Sequence, residues 1–191
     1  PSYRNLSAVI LGRIGEYQRS GEIYAQLLAE YPATAKVWLS YGHVLKTEGR
    51  IPECIDAYRQ SIEHNPAFGE AYWSLANLKT FRFSETDLEA MRTQIDDPAL
   101  DDENRLHLHF ALGKAAEASD NHAVAFEHYA SGNGLQRTAH HYDADLNASR
   151  TRRLKTSFSR ELFKARAGAG CDSPDPIFIV GLPRAGSTLL E

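Results

Sequence analysis

The strongest constraint on this chain is a spacing. Trp38, Tyr41, Gly42, Leu45, Gly49, Cys54, Tyr58, Ser61 and Pro66 follow one another in a fixed order, and subtracting 34 from five of them lands on like residues: Pro32, Tyr24, Gly15, Leu11 and Ala8. Five agreements in one register mark a repeated unit, and units of this length stack on their neighbours to bury a continuous core. Within the unit, Trp38, Tyr41, Gly42 and Leu45 lie on one face of a helix, and Cys54, Tyr58 and Ser61 do the same on a second. The small residues let the two helices approach, and the aromatics fill the space between them. Gly49 supplies the turn, where a positive φ costs little, and Pro66 cannot continue a helix. The spacing predicts helices over 2–13, 17–30, 34–47 and 51–64.

This order of aromatic, small and turn residues resembles the tetratricopeptide repeat, with Tyr41 and Leu45 as mild departures. The resemblance implies an all-α fold: a right-handed superhelix of antiparallel helix pairs. The first copy has Arg4 where the second has Trp38, as expected of a helix with nothing stacked upon it. Adding 34 gives a third copy whose first helix fits, with Tyr72, Leu75 and Ala76 in place. Its second helix is worn, because Phe83 stands where Gly49 stood, so altered geometry is expected there. Ser84 is an N-cap for a helix over 85–95, with Glu85 and Asp87 favouring the helix dipole.

Leu112, Gly113, Ala116, Ala125, Phe126 and Tyr129 define a fourth pair over 103–118 and 121–135, joined by a turn at Asp120 and Asn121. Leu146, Leu154, Phe158, Leu162 and Phe163 give a long helix from Asp143 to Ala165 its apolar side, suited to cap the last repeat. The repeat domain with this capping helix is taken as 1–166. The acidic stretch Asp96, Asp97, Asp101, Asp102 and Glu103 reads as a solvated loop and helix start. His107 and His109 point about 200° apart on a helix, which is poor geometry for a shared metal, and no metal is expected. The basic run Arg150, Arg152, Arg153, Lys155, Arg160, Lys164 and Arg166 reads as a solvated face, or as a surface for an acidic acceptor or a further domain.

Composition narrows the function classes. The 191 residues are 42% hydrophobic with a formal charge of −4, so the chain can bury a core, and its charge does not argue for nucleic acid. No run of about 18 apolar residues is present to span a membrane. Cys54 and Cys171 stand in unrelated contexts, which suits a reduced, cytoplasmic protein. Pro1 rather than Met opens the chain and suggests a fragment or a processed start.

From 167 to 176 the composition turns to Gly, Ala, Ser, Asp and Pro, a linker. Ile177, Phe178, Ile179 and Val180 then read as a strand buried on both faces of a parallel sheet. The strand runs into Gly181, Leu182, Pro183, Arg184, Ala185, Gly186, Ser187 and Thr188 and the start of a helix. A strand, a glycine loop and a helix N-terminus together cradle an anion. Gly181 and Gly186 have the spacing of a nucleotide-hydrolysing P-loop, but Ser187 takes the lysine place, which disfavours that class.

The stretch instead resembles the phosphosulfate loop of sulfotransferases, matched at Pro183, Arg184, Gly186 and Thr188, with Ala185 and Ser187 departing slightly. The whole chain resembles the bacterial sulfotransferases that carry an N-terminal repeat region, and residues 177–191 are the truncated start of their α/β domain. The resemblance implies PAPS as cofactor of a longer parent. Arg184 would clamp the phosphosulfate, Ser187 and Thr188 would donate hydroxyls, and the amides from Ala185 through Gly186 would form the cradle. No catalytic base is assigned, since the family places it beyond Glu191. The 191-residue chain is expected to be inactive with no cofactor bound, its tail disordered or held by other contacts.

The repeat family presents its first helices to a concave groove, which by resemblance falls on Arg13, Lys36, Leu39, His43, Lys46, Trp73 and Asn77. Such a lining suits an extended protein or peptide partner carrying acidic groups. Two functions follow. One is the acceptor-binding repeat region of a PAPS-dependent sulfotransferase; the other is a stand-alone interaction scaffold with no catalytic role.

Overall fold

The computed structural model describes residues 2–139 and 142–170. The chain divides into two compact units, 1–141 and 142–191. All regular structure among the described residues is helical. The first unit holds α1 (Ser2–Arg13), α2 (Tyr17–Glu30), α3 (Ala35–Thr47), α4 (Ile51–His64), α5 (Gly69–Ala76), α6 (Glu85–Asp96), α7 (Asp102–Ala118) and α8 (His122–Ala139).

Three of the pairs are built on one device. Gly42 on α3 faces the Tyr58 ring of α4, and Gly113 on α7 faces the Tyr129 ring of α8, where a Cβ would come within 2.6 Å of a ring carbon. Ala8 and Tyr24 hold the equivalent places in α1 and α2 and are buried in one cluster. A small residue thus admits an aromatic ring sixteen positions later, and the helices close around it. The three connections match as well, since Gly15, Gly49 and Asp120 all take positive φ at 90°, 78° and 57°. Aspartate adopts this left-handed conformation more readily than most residues.

The third pair breaks the pattern. α5 stops after eight residues, and 77–84 form an irregular segment in which the Arg82 guanidinium donates to the carbonyls of Lys79 and Phe81. Phe81 and Phe83 meet edge to face with ring centroids 5.0 Å apart and pack on the core formed by Leu45, Tyr58 and Leu75. α6 then restarts at a full capping box: the Ser84 hydroxyl accepts from the Asp87 amide, and the Asp87 carboxylate accepts from the Ser84 amide. That carboxylate also takes both ends of the Arg59 guanidinium from α4, while Arg59 lies 5.3 Å from the Phe81 ring centre. With α6 drawn toward α4, α5 packs chiefly on α7. Gly69 makes this approach feasible: its amide donates to Asn104 Oδ1 at 2.9 Å, and any Cβ there would strike the Asn104 backbone.

The second unit contains α9 (Ala144–Ser157) and α10 (Arg160–Ala165). The single long helix expected over 143–165 is therefore two. The Ser159 hydroxyl accepts from the Leu162 amide and caps a new helix, and Phe158 ends the old one. α9 has no buried residue, and Arg150, Arg152, Arg153 and Lys155 are exposed along it. The strand and loop expected over 177–191, with Arg184, Ala185, Gly186, Ser187 and Thr188, lie outside the described residues. No described helix is long and apolar enough to cross a membrane.

Candidate functional site

Successive first helices of the repeats, α3, α5 and α7, open a groove of about 440 Å³. α3 contributes Lys36, Leu39, Ser40 and His43 at helical spacing. The loop into α5 and its first turn contribute Phe68 and Glu70, and the start of α7 contributes Asp101, Glu103, Asn104 and His107. Leu39 and Phe68 are nearly fully buried and form an apolar floor.

The walls differ in how firmly they are held. Asp101 is spent on structure: one oxygen accepts the Asn104 amide at 2.8 Å, the other its side-chain NH2 at 2.7 Å, and these bonds hold the Asp101 carboxyl below its ordinary range. Asn104 is spent likewise on Asp101 and Gly69. His43 Nδ1 and the Tyr58 hydroxyl are hydrogen-bonded at 2.8 Å. Burial lowers the His43 pKa, opposed by the nearby Glu70 charge and assisted by Lys46, so the ring is neutral at pH 7. By contrast, no hydrogen bond or ion pair among the described residues engages the side chains of Lys36, Glu70 or Glu103. His107 Nδ1 is buried without a partner.

Of the seven residues expected in the groove, three meet there: Lys36, Leu39 and His43. Lys46 is exposed on the same helix, farther along, and reaches the groove only through its charge on His43. Trp73 turns into the α5–α7 interface, its ring centroid 5.5 Å from that of Phe110. Asn77 lines a second cavity of about 710 Å³ beside Phe81, Phe83 and Lys114, and its NH2 donates to the Trp73 carbonyl at 2.9 Å. Arg13 ends α1, exposed and away from the groove.

Glu70 was recoverable from sequence, because it is Lys36 displaced by one period of 34. His107 needed a different offset. The step from Gly42 to Gly113 is 71 residues, and the same step takes Lys36 to His107.

The two other histidines of note also come from the fourth pair. His109 and His128 place their Nδ1 atoms 3.1 Å apart across α7 and α8. Burial lowers both pKa values, aided by the His128 and Arg105 charges at His109 and by Arg92 at His128, against Glu127. No group of three or more metal-ligating side chains occurs among the described residues.

Fold and groove together define a tetratricopeptide-like helical-repeat protein. No family model matches the chain. An uncharacterized protein of Aquifex aeolicus (strain VF5) is 25% identical over all 191 residues, and the chain spans only 25% of that relative's length. Among solved structures, MamA from Desulfovibrio magneticus RS-1 (residues 41 to the end) superimposes with a TM-score of 0.51 at 24% identity, over 72% of this chain and 76% of that one. A MamA RS-1 ArsTM double mutant gives 0.53 at 23% identity, over 74% and 78%. A further crystal structure of MamA gives 0.52 at 16%, over 71% and 77%. At these identities the likeness shows a shared fold.

Proposed function

We propose that the chain is a peptide-binding scaffold that holds an extended protein segment in the α3–α5–α7 groove. The observation that carries this reading is that three successive repeats present unengaged charged groups, from Lys36, Glu70 and Glu103, around one apolar floor. An extended segment presents backbone donors and acceptors at regular intervals, and side chains on alternate sides, which suits such a lining. The test is amide chemical-shift mapping on the 191-residue chain titrated with pooled nonapeptides. Shifts clustered on α3 and the starts of α5 and α7 are expected; no shifts, or shifts elsewhere, overturn the reading.

A second reading rests on the string Pro183, Arg184, Gly186 and Thr188 after an apolar run. In it the scaffold belongs to a longer, cytoplasmic, PAPS-dependent sulfotransferase whose acceptor the repeats recruit. Titration of the longer protein with PAP tests it: saturable binding lost in Arg184→Ala is expected, and absence of binding sinks it.

A further inference from the structure

We infer that the segment held in the groove is basic, carrying Lys or Arg beside an apolar residue, rather than acidic. This rests on the groove being a peptide site. The lining carries three carboxylates, Glu70, Asp101 and Glu103, against the single ammonium of Lys36, a formal balance of −2 among its acidic and lysine side chains. Asp101 is committed to capping α7, which leaves Glu70 and Glu103 as carboxylates without a hydrogen-bonding or ion-pair partner among the described residues.

Both carboxylates sit in the first turn of a helix, where the dipole favours them, so acidity alone would not define a partner. The groove adds an independent feature. Leu39 and Phe68 line the same groove as the carboxylates, an apolar surface that the methylene stem of a Lys or Arg side chain covers while its head stays at the rim. An acidic segment would meet Lys36 but lie against two unneutralised carboxylates, and like charge across an interface rejects wrong partners.

The experiment uses the 191-residue chain and fluorescein-labelled nonapeptides with a central Leu flanked at two fixed places by Arg, Gln or Glu. Fluorescence polarisation at low salt is expected to rank Arg over Gln over Glu, with Arg about tenfold or more tighter than Glu and the gap narrowing as salt screens the charges. Glu70→Gln with Glu103→Gln should erase the ranking, and Lys36→Glu should sharpen it. Circular dichroism of each variant establishes that it is folded. If Glu peptides bind as well as or better than Arg peptides and Lys36→Glu weakens them, the groove is a peptide site but the basic partner is wrong. If no peptide binds, or binding ignores all three substitutions, the peptide-site reading itself falls, and the inference with it.

Discussion

The second and third helix pairs start from nearly the same first helix and end in different places. In the second, Gly42 admits the Tyr58 ring and Gly49 turns the chain, so α4 lies back along α3. In the third, Tyr72 and Leu75 bury as Trp38 and Tyr41 would suggest, but Phe83 cannot make the Gly49 turn. The chain instead runs through two packed phenylalanines to the Ser84 cap. α6 is then tied to α4 by Arg59 and Asp87, and α7 takes its place against α5. One lost turn glycine therefore changes which helices are neighbours. The groove takes its α7 wall from this packing of α7 on α5.

The comparison can be broken most severely at Gly69. Gly69→Ala drives a Cβ into the Asn104 backbone, which cannot rotate away as a side chain can, and should cost about 3 kcal/mol in chemical denaturation. The same substitution should loosen Asn104 and His107 and weaken groove binding. A cost below about 1 kcal/mol would mean that α5 and α7 are not held together as described. Next is the tie that holds α6. A double-mutant cycle on Arg59→Ala and Asp87→Ala should give a coupling of about 1 kcal/mol, no more because the arginine is partly exposed to screening solvent. Zero coupling would leave the phenylalanine pair as what positions α6.

The fourth pair sharpens the contrast through pH. His109 and His128 both have folded-state pKa values below the ordinary 6.5, so their contribution to stability is present above about pH 6.5 and is lost as pH falls through the lowered values. Two protonated rings would also set N–H against N–H at the 3.1 Å contact. A thermal melt at pH 5 should fall below that at pH 7.5, and His109→Gln with His128→Gln should shrink the difference; an unchanged difference would assign it elsewhere. The smallest effect is expected at Asp120→Gly. It relieves a positive φ in the one regular turn that lacks glycine and should stabilise by about 0.5 kcal/mol, whereas Gly49→Ala should destabilise by about 1 kcal/mol.

The first four helices were legible almost residue for residue, because turn glycines at 15 and 49 and the interval of 34 fix both period and boundaries. α6 was legible from its cap. What escaped was whatever depended on the third turn. The sequence shows that Phe83 replaces a glycine but not where the displaced helix goes, so the register of α7 against the groove was hidden, and Asn104 and His107 with it. Trp73 looked like a groove residue by periodicity, yet Phe110, 37 positions away, draws it into the helix interface. The break at Phe158 was written locally in Ser159. A continuous apolar pattern from Leu146 to Phe163 masked it, since a cap inside such a pattern reads as an ordinary polar position.

Cys54 carries a consequence for watching this molecule move. Its thiol is wholly enclosed between α3 and α4, and burial pushes its pKa up, so the reactive thiolate is doubly suppressed while the pair is closed. In a Cys171→Ser background, modification of Cys54 by a thiol reagent becomes a clock for opening of the second pair. Its rate relative to that of an unfolded peptide reads the free energy of that opening. Run beside global denaturation, the clock reports whether the regular pair breathes by itself or opens only when the whole helical array comes apart.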